Sequence, residues 1–289
     1  MSAGHSIPLA FSGIRTHASV MTFSCQGAMP MPSGGHMQGV QQLDDEHMVI
    51  SGSSHDAAYF IIVRWPGGIR SGGVGQVSRL VSIGEDFPMM RTTHAGGIQL
   101  CDHVLAVGTE TVRGEPSSVV FYDLSDPSRP RAVGCRIERS QKTAGAVGIV
   151  RRSSDYLLAV GDWDSDSIDF YVSDGYDLLS AGCVFARVRT WSHSERDTSG
   201  WVDGNWGKYQ ALNLLQEPNG QLYLVGFHRH PPNTGQDWAD LYRLDLDAPE
   251  PRMLVKIDKK GVACQGGASF QWAGGLVAPD PTREITLLA

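Results

Sequence analysis

A short motif recurs along this 289-residue chain and restricts its fold more than any other feature. It reads HMQGVQ from His36, HAGGIQ from His94, TAGAVG from Thr143, KYQALN from Lys208 and ACQGGA from Ala263. Each copy opens on a polar or small residue, skips one position, and continues with a pair drawn from Gln, Gly and Ala, usually followed by an aliphatic residue. The copies stand roughly 50 to 65 residues apart, and short apolar runs broken by turn residues fill the intervals, as expected of a β-propeller with one blade per copy. The expected fold is therefore all-β: a five-bladed β-propeller of four-stranded antiparallel blades, with inner strands beginning near residues 36, 94, 143, 208 and 263. A repeat running from end to end predicts one domain over residues 1–289. Small residues belong where inner strands converge, which accounts for Gly39, Gly96, Gly97, Gly145, Gly148, Gly266 and Gly267; their polar neighbours are expected to face channel water.

Four blades read in full. Blade one gives GVQQL, HMVISGS, AYFIIVRW and QVSRLVSIG, and blade two gives GIQLC, VLAVGTE, SSVVFYDLS and RAVGCRI. Blade three gives AVGIVR, YLLAVGDW, SIDFYVS and LLSAGCVFARV, and blade four ALNLLQ, LYLVGFH, ADLYRLDL and RMLVKI. Blade five supplies only GASFQW, GLVAP and EITLLA, one strand short. A free sheet edge needs covering, and residues 1–30 contain strand-like runs claimed by no blade. They are expected to supply the closing strand of blade five.

The segment from Val119 to Gly134, VVFYDLSDPSRPRAVG, has a strand ending in an acidic residue, a Ser-Asp-Pro turn and a second proline before the next strand. In this it resembles the LVIVD repeat of bacterial and archaeal propeller-like proteins. The resemblance covers one blade, with looser echoes at Phe170 and Tyr242. It implies a propeller and assigns no activity, because such repeats occur in proteins of many roles.

With Lys+Arg 24 against Asp+Glu 31, the net charge of −7 offers no basic stripe for a phosphate backbone, so nucleic acid is not an expected partner. No apolar stretch is long enough to cross a bilayer, and membrane insertion is not expected either. The chain reads as soluble, either cytoplasmic or secreted with a leader removed, since residues 1–17 lack the basic start and apolar block of a signal peptide. Five cysteines, Cys25, Cys101, Cys135, Cys183 and Cys264, are widely spaced without a CxxC pair and are expected to be free thiols.

In a propeller the connection into each inner strand and the hairpin between the second and third strands share one face. The expected channel mouth therefore gathers His36, Gln38, His94, Thr143, Lys208, Tyr209, Gln210 and Gln265 with the hairpin residues Ser54, His55, Asp56, Thr109, Glu110, Asp162, Trp163 and Asp164. Blade four adds His228, Arg229, His230, Asp237 and Trp238. Two long insertions in that blade, Thr190 to Gln210 and His228 to Trp238, are candidate lids. Their tryptophans, Trp191, Trp201, Trp206 and Trp238, suit stacking on a sugar or aromatic ligand, or else simply cover the blade.

His36 and His94 lead adjacent inner strands and are candidate ligands for zinc or another divalent transition metal, with Glu110 or His228 completing the set, although no local metal motif supports this. The alternative is a histidine pair bonded to water. Asp162, Asp164 and Asp166 have the spacing that opens a calcium loop, but Ser167 and Ser173 stand where its glycine and closing glutamate belong; Asp-rich hairpins also make their own turns. Five-bladed glycosidases of the arabinanase type lead their inner strands with a carboxylate, whereas His36, His94, Thr143 and Lys208 stand here, and GxSxG is absent.

Three functions stay open. The first is a mouth that binds a small polar molecule or glycan, with Gln38, Asp162, Trp163, Trp206, Gln210, His228, Arg229, Trp238 and Gln265 around the ligand. The second is an enzyme in which His36 or His94 serves as general base or holds a metal, Lys208 or Tyr209 stabilises an anionic intermediate, and Glu110 is a further catalytic candidate. The third is a protein-interaction scaffold.

Overall fold

The computed structural model describes residues 5–25, 31–111, 116–175, 177–180, 182–229 and 236–289. Four sheets are each built on four consecutive antiparallel strands, and the first carries a fifth strand at its edge. A two-residue strand β1 (Phe23–Ser24) precedes them. The first sheet contains β2 (Met37–Gln42), β3 (His47–Gly52), β4 (Tyr59–Arg64) and β5 (Gly75–Ser82). The second contains β6 (Thr92–Cys101), β7 (Val104–Thr111), β8 (Ser117–Asp123) and β9 (Arg131–Arg139). The third contains β10 (Ala146–Arg151), β11 (Tyr156–Gly161), β12 (Ser167–Ser173) and β13 (Phe185–Ser192). The fourth contains β14 (Ala211–Gln216), β15 (Leu222–His228), β16 (Asp237–Leu244) and β17 (Leu254–Val262). A two-stranded sheet, β18 (Gly275–Val277) with β19 (Thr286–Leu288), ends the chain. The arrangement is all-β and propeller-like, with four full blades.

The blades hold together through apolar layers between neighbouring sheets. Phe60, Leu105, Val107, Val120 and Tyr122 pack blades one and two, while Val119, Phe121, Ile149, Leu158 and Val160 pack blades two and three. The middle strands read as nearly continuous apolar runs because both of their faces are covered. The outer strand β9 alternates buried and exposed residues, as a strand with one wet face must.

Inner strands meet backbone to backbone. A Cβ added to Gly96 would stand 2.2 Å from the Gly145 carbonyl oxygen, and one added to Gly39 would stand 2.7 Å from the Ile98 nitrogen. The Gly97 N–H donates to the Gly145 carbonyl at 2.7 Å, bonding blade two to blade three directly. Polar side chains on these strands were expected to face channel water; Gln99 instead caps backbone. Its Oε1 accepts from the N–H groups of Ile149 and Leu214, both at 2.8 Å, and its Nε2 donates to the Leu214 carbonyl at 2.9 Å. Gln41 donates to Asn213 Oδ1 at 3.3 Å. Convergence of the glycines brings the strands too close for a wet lining at this level, so side-chain amides satisfy the buried backbone.

Two expectations about the ends are corrected. The motif at Ala263 is not an inner strand: Gly266 and Gly267 take φ of 65° and 85° in an exposed turn, and GASFQW is turn rather than strand. The strand begins instead at Gly275, and Gly274 bridges Gly39 in parallel. Residues before Met31 do not extend the β18–β19 sheet among the described residues. Helix α1 (Ile7–Ser12) buries Ile7 and Phe11 in the cluster that holds Phe227, Leu241 and Phe270, His17 bridges Ala263, and β1 pairs in parallel with β5 of blade one. The segment thus spans from blade four to blade one. A parallel partner for β5 uses that strand's outer hydrogen bonds, which the sequence pattern does not reveal.

All five cysteines are free thiols, and burial pushes Cys101, Cys135 and Cys264 up to about 12. No helix of the described residues is long and apolar enough to cross a membrane.

Candidate functional site

The mouth brings together His36, Gln38, His94 and Glu110, with one aromatic residue the sequence reading passed over. His36 precedes β2, Gln38 lies in β2, His94 lies in β6 and Glu110 is the penultimate residue of β7, where it faces His94 across the pair. The buried Gln38 amide donates to Nε2 of His36 and, at 3.0 Å, to Nε2 of His94. Each accepting nitrogen must lack a proton, so both imidazoles are neutral with hydrogen on Nδ1. Burial lowers the pKa of His36; burial first, and then the cost of a second positive charge beside His36, lower that of His94 to about 4. Glu110 Oε2 stands 3.8 Å from His94 Nε2, and burial raises the Glu110 pKa.

The unanticipated residue is Trp272, 49% exposed with its ring 5.0 Å from that of His36. The signal was present. WAGGLV from Trp272 repeats HAGGIQ from His94 almost position for position, and Trp272 leads into β18 as His94 leads into the Gly96–Gly97 pair of β6.

On the other side of the mouth, Asp162 is half-buried with a pKa raised by burial, and its Oδ1 accepts the Ser167 N–H at 2.8 Å. Asp164 binds Lys208 Nζ at 3.0 Å and Gln210 Nε2 at 2.8 Å. Trp163 is 64% exposed. Asp164 and Ser165 take left-handed φ of 56° and 54°, and Asp166 lies 3.8 Å from His193. The three aspartates thus serve their own turn and its neighbours instead of a calcium loop.

Several candidates are engaged in other contacts. Tyr209 is fully buried: its hydroxyl donates to Asp240 Oδ2 at 2.6 Å beside the Tyr242 hydroxyl, and burial raises its pKa far above the usual range. A large aromatic in the apolar layer between blades three and four contributes more by packing there than at a wet mouth. His228 is buried against Gly207, 3.3 Å from Asp240. Trp206 packs into the same layer. Arg229 is spent on Asp237, at 3.0 and 2.6 Å. Trp238 is half-buried under Lys259 Nζ, 4.9 Å from the ring centre, and Gln265 sits in an exposed turn. His230 lies outside the described residues.

The insertion from Thr190 to Gln210 is not a lid. Asp197 binds Arg252 at 2.7 Å, Trp201 Nε1 donates to the Leu254 carbonyl at 3.1 Å, and Asp203 holds Lys256 and Lys259 at 2.9 and 2.6 Å. These bonds strap the loop along β17. Only its end, Lys208 and Gln210, reaches the mouth.

The metal expectation fails on the donor set. Among the described residues no three His, Cys, Asp or Glu side chains gather for an ion. The amide hydrogens of Gln38 occupy the lone pairs that His36 and His94 would offer.

Two clefts open on the opposite face, one of about 570 Å³ lined by Arg152, Asn219, Gln221, Asp245 and Asp247, the other of about 340 Å³ lined by His47, Arg64, Arg79 and Asp126. Their polar atoms are largely committed to turns: Asp245 accepts the Asp247 N–H, Asn219 the Gln221 N–H, and Asp126 the Ser128 N–H. The mouth has the more available chemistry.

Fold and site together define a propeller-like protein with a small polar cluster at one end of its axis, in which burial shifts the titratable groups toward their neutral forms. No protein-family profile matches the chain, and no curated protein matches it. Among solved structures it is similar to the catalytic domain of a GH62 alpha-L-arabinofuranosidase from Coprinopsis cinerea, at 12% identity over 93% of this chain and 86% of that one, TM-score 0.48. A second likeness is to the alpha-L-arabinofuranosidase of Podospora anserina in complex with cellotriose, at 8% identity over 93% and 85%, TM-score 0.46. A third is to a hypothetical selenium-binding protein of Sulfolobus tokodaii, at 9% identity over 77% of this chain and 47% of that one, TM-score 0.42.

Proposed function

We propose that the mouth binds a small uncharged polar ligand, with a glycan as the class that best matches its chemistry. The carrying observation is the Gln38 amide set between two neutral imidazoles, beside the buried Glu110 and the exposed Trp272 ring. Neutral imidazoles and a carboxyl with a raised pKa offer hydrogen-bond donors and acceptors with little net charge, and Lys208 with Asp164 cancel each other. Such a surface suits hydroxyl groups, and an aromatic face suits the apolar side of a sugar ring. In this reading β18 and β19 are an abbreviated fifth blade, WAGGLV is its inner-strand motif, and the LVIVD-like segment of blade two marks the same repeat ancestry.

Titration calorimetry with neutral mono- and oligosaccharides tests the reading, with anionic and cationic metabolites as controls. Saturable binding of a neutral sugar, weakened at least tenfold in Gln38→Ala and His94→Ala, supports it. Binding of only charged ligands, or unchanged binding in both variants, overturns it.

The upward shift of the Glu110 pKa favours an enzyme as the second reading, because a carboxyl that holds its proton to higher pH is better suited to protonate a leaving group. Hydrolysis of chromogenic glycosides that is lost in Glu110→Gln with binding retained distinguishes it. His94, with a pKa near 4, is a weak general base. The scaffold reading ranks third, since it has no need of the buried polar cluster.

A further inference from the structure

Beneath residues 193–206 three N–H groups are buried without an acceptor: Nε1 of Trp191, Nε1 of Trp206 and Nε of Arg196. They belong to one cluster at the boundary of blades three and four. The Trp191 and Trp206 rings lie 4.4 Å apart, Trp206 lies 6.1 Å from His193, and Arg196 Nη1 donates to the His193 carbonyl at 2.7 Å. Arg196 also acts electrostatically on Tyr242, whose ring is 5.4 Å from Trp206. Each of the three groups can only donate.

Several neighbouring acceptors are already engaged. Asp197 is held by Arg252, and Asp203 by Lys256 and Lys259. The Tyr209 hydroxyl donates to Asp240 and bonds the Tyr242 hydroxyl. Among the described residues no carboxylate pairs with Arg196. Buried donors without acceptors are rare and costly in native proteins, and here one of them sits on a permanent positive charge. A water molecule would bring two hydrogens that need acceptors of their own. A halide brings none, accepts from several N–H groups at once, and balances the guanidinium.

We propose that Trp191, Trp206 and Arg196 hold a small monovalent anion of the halide class, which pins the 193–206 loop to the boundary of blades three and four. The probe is sodium bromide added to the full chain, with sodium gluconate holding ionic strength constant. The expected result is a saturable rise in melting temperature, saturable tryptophan quenching, and an anomalous bromide peak beside Trp206 Nε1 in crystals grown with bromide. Arg196→Gln abolishes the saturable part. Trp206→Phe, which keeps most of the ring volume, weakens it at least tenfold and guards against a folding artefact in the first variant. A peak without anomalous signal, which is water, overturns the proposal. So does a bromide response that is linear in concentration or is equal in Arg196→Gln.

Discussion

Glu110 Oε2 stands 3.8 Å from Nε2 of His94, and burial shifts the two pKa values in opposite senses, each toward the neutral form. The pair holds a carboxyl and an imidazole together without committing either to an ion pair.

This relationship sets a pH dependence. His94 has a pKa of about 4 in the folded protein against 6.5 for a free imidazole, so between those values the unfolded chain binds the extra proton. Its contribution to stability is intact above pH 6.5 and is lost as pH falls toward 4. Glu110 acts in the opposite sense: its raised pKa favours the fold below 4.5, and that contribution is lost as pH rises through the folded value. Thermal melts from pH 4 to 8 should show a shallower loss on acidification for His94→Gln than for the parent, and a higher melting temperature at pH 8 for Glu110→Gln. A His94→Gln profile parallel to that of the parent throughout would refute the assignment.

Lys256 is 1% exposed, with Nζ 2.8 Å from Asp240 and 2.9 Å from Asp203. Asp240 is 2% exposed and is also engaged by Tyr209. Removing the cation leaves a buried carboxylate uncompensated, so Lys256→Met should cost about 3–5 kcal/mol in urea unfolding. Arg136→Ala, which removes an exposed ion pair with Glu138, should cost less than about 1 kcal/mol. Similar losses in the two variants would show that Lys256 is not the keystone of this network.

Phe121 is fully buried and stacks on Phe185 with ring centres 5.2 Å apart and planes 8° from parallel. Phe121→Ala should cost about 3–5 kcal/mol through lost transfer energy and the cavity left behind. Chemical denaturation measures this, and the proposed ligand binding at the mouth, taken per folded molecule, should stay unchanged because the ring lies in the layer between blades two and three.

Two glycine variants test the axis. Gly96→Ala drives a methyl group to 2.2 Å from the Gly145 carbonyl oxygen, whereas a Cβ at Gly134, on the outer strand, meets nothing within 4 Å. The first should lose about 1–3 kcal/mol or more and the second should change little, as read by melting temperature. Equal tolerance at both positions would mean that the inner strands do not touch as described.

Local pattern and periodicity were enough to reveal the four-stranded blades, the crowding glycines and the convergence of His36, Gln38 and His94, because strand period and motif spacing are written in neighbouring residues. The same reasoning expected a strand at ACQGGA, where the chain forms a turn; both ACQGGA and WAGGLV are small, glycine-containing runs, and the bridge from Gly274 to Gly39, which no local pattern reveals, favours the second. It also placed Tyr209, Trp206 and His228 at the mouth, since chain order assigns a residue to a strand end but not to a side. The tertiary structure decided which faces became buried, and it turned those three side chains into the boundary of blades three and four, where Asp240 and the apolar layer receive them. Whether a loop becomes a lid was likewise decided at a distance, by Arg252, Leu254, Lys256 and Lys259 some 50 residues along the chain, whose bonds to residues 197–203 leave the loop no freedom to close.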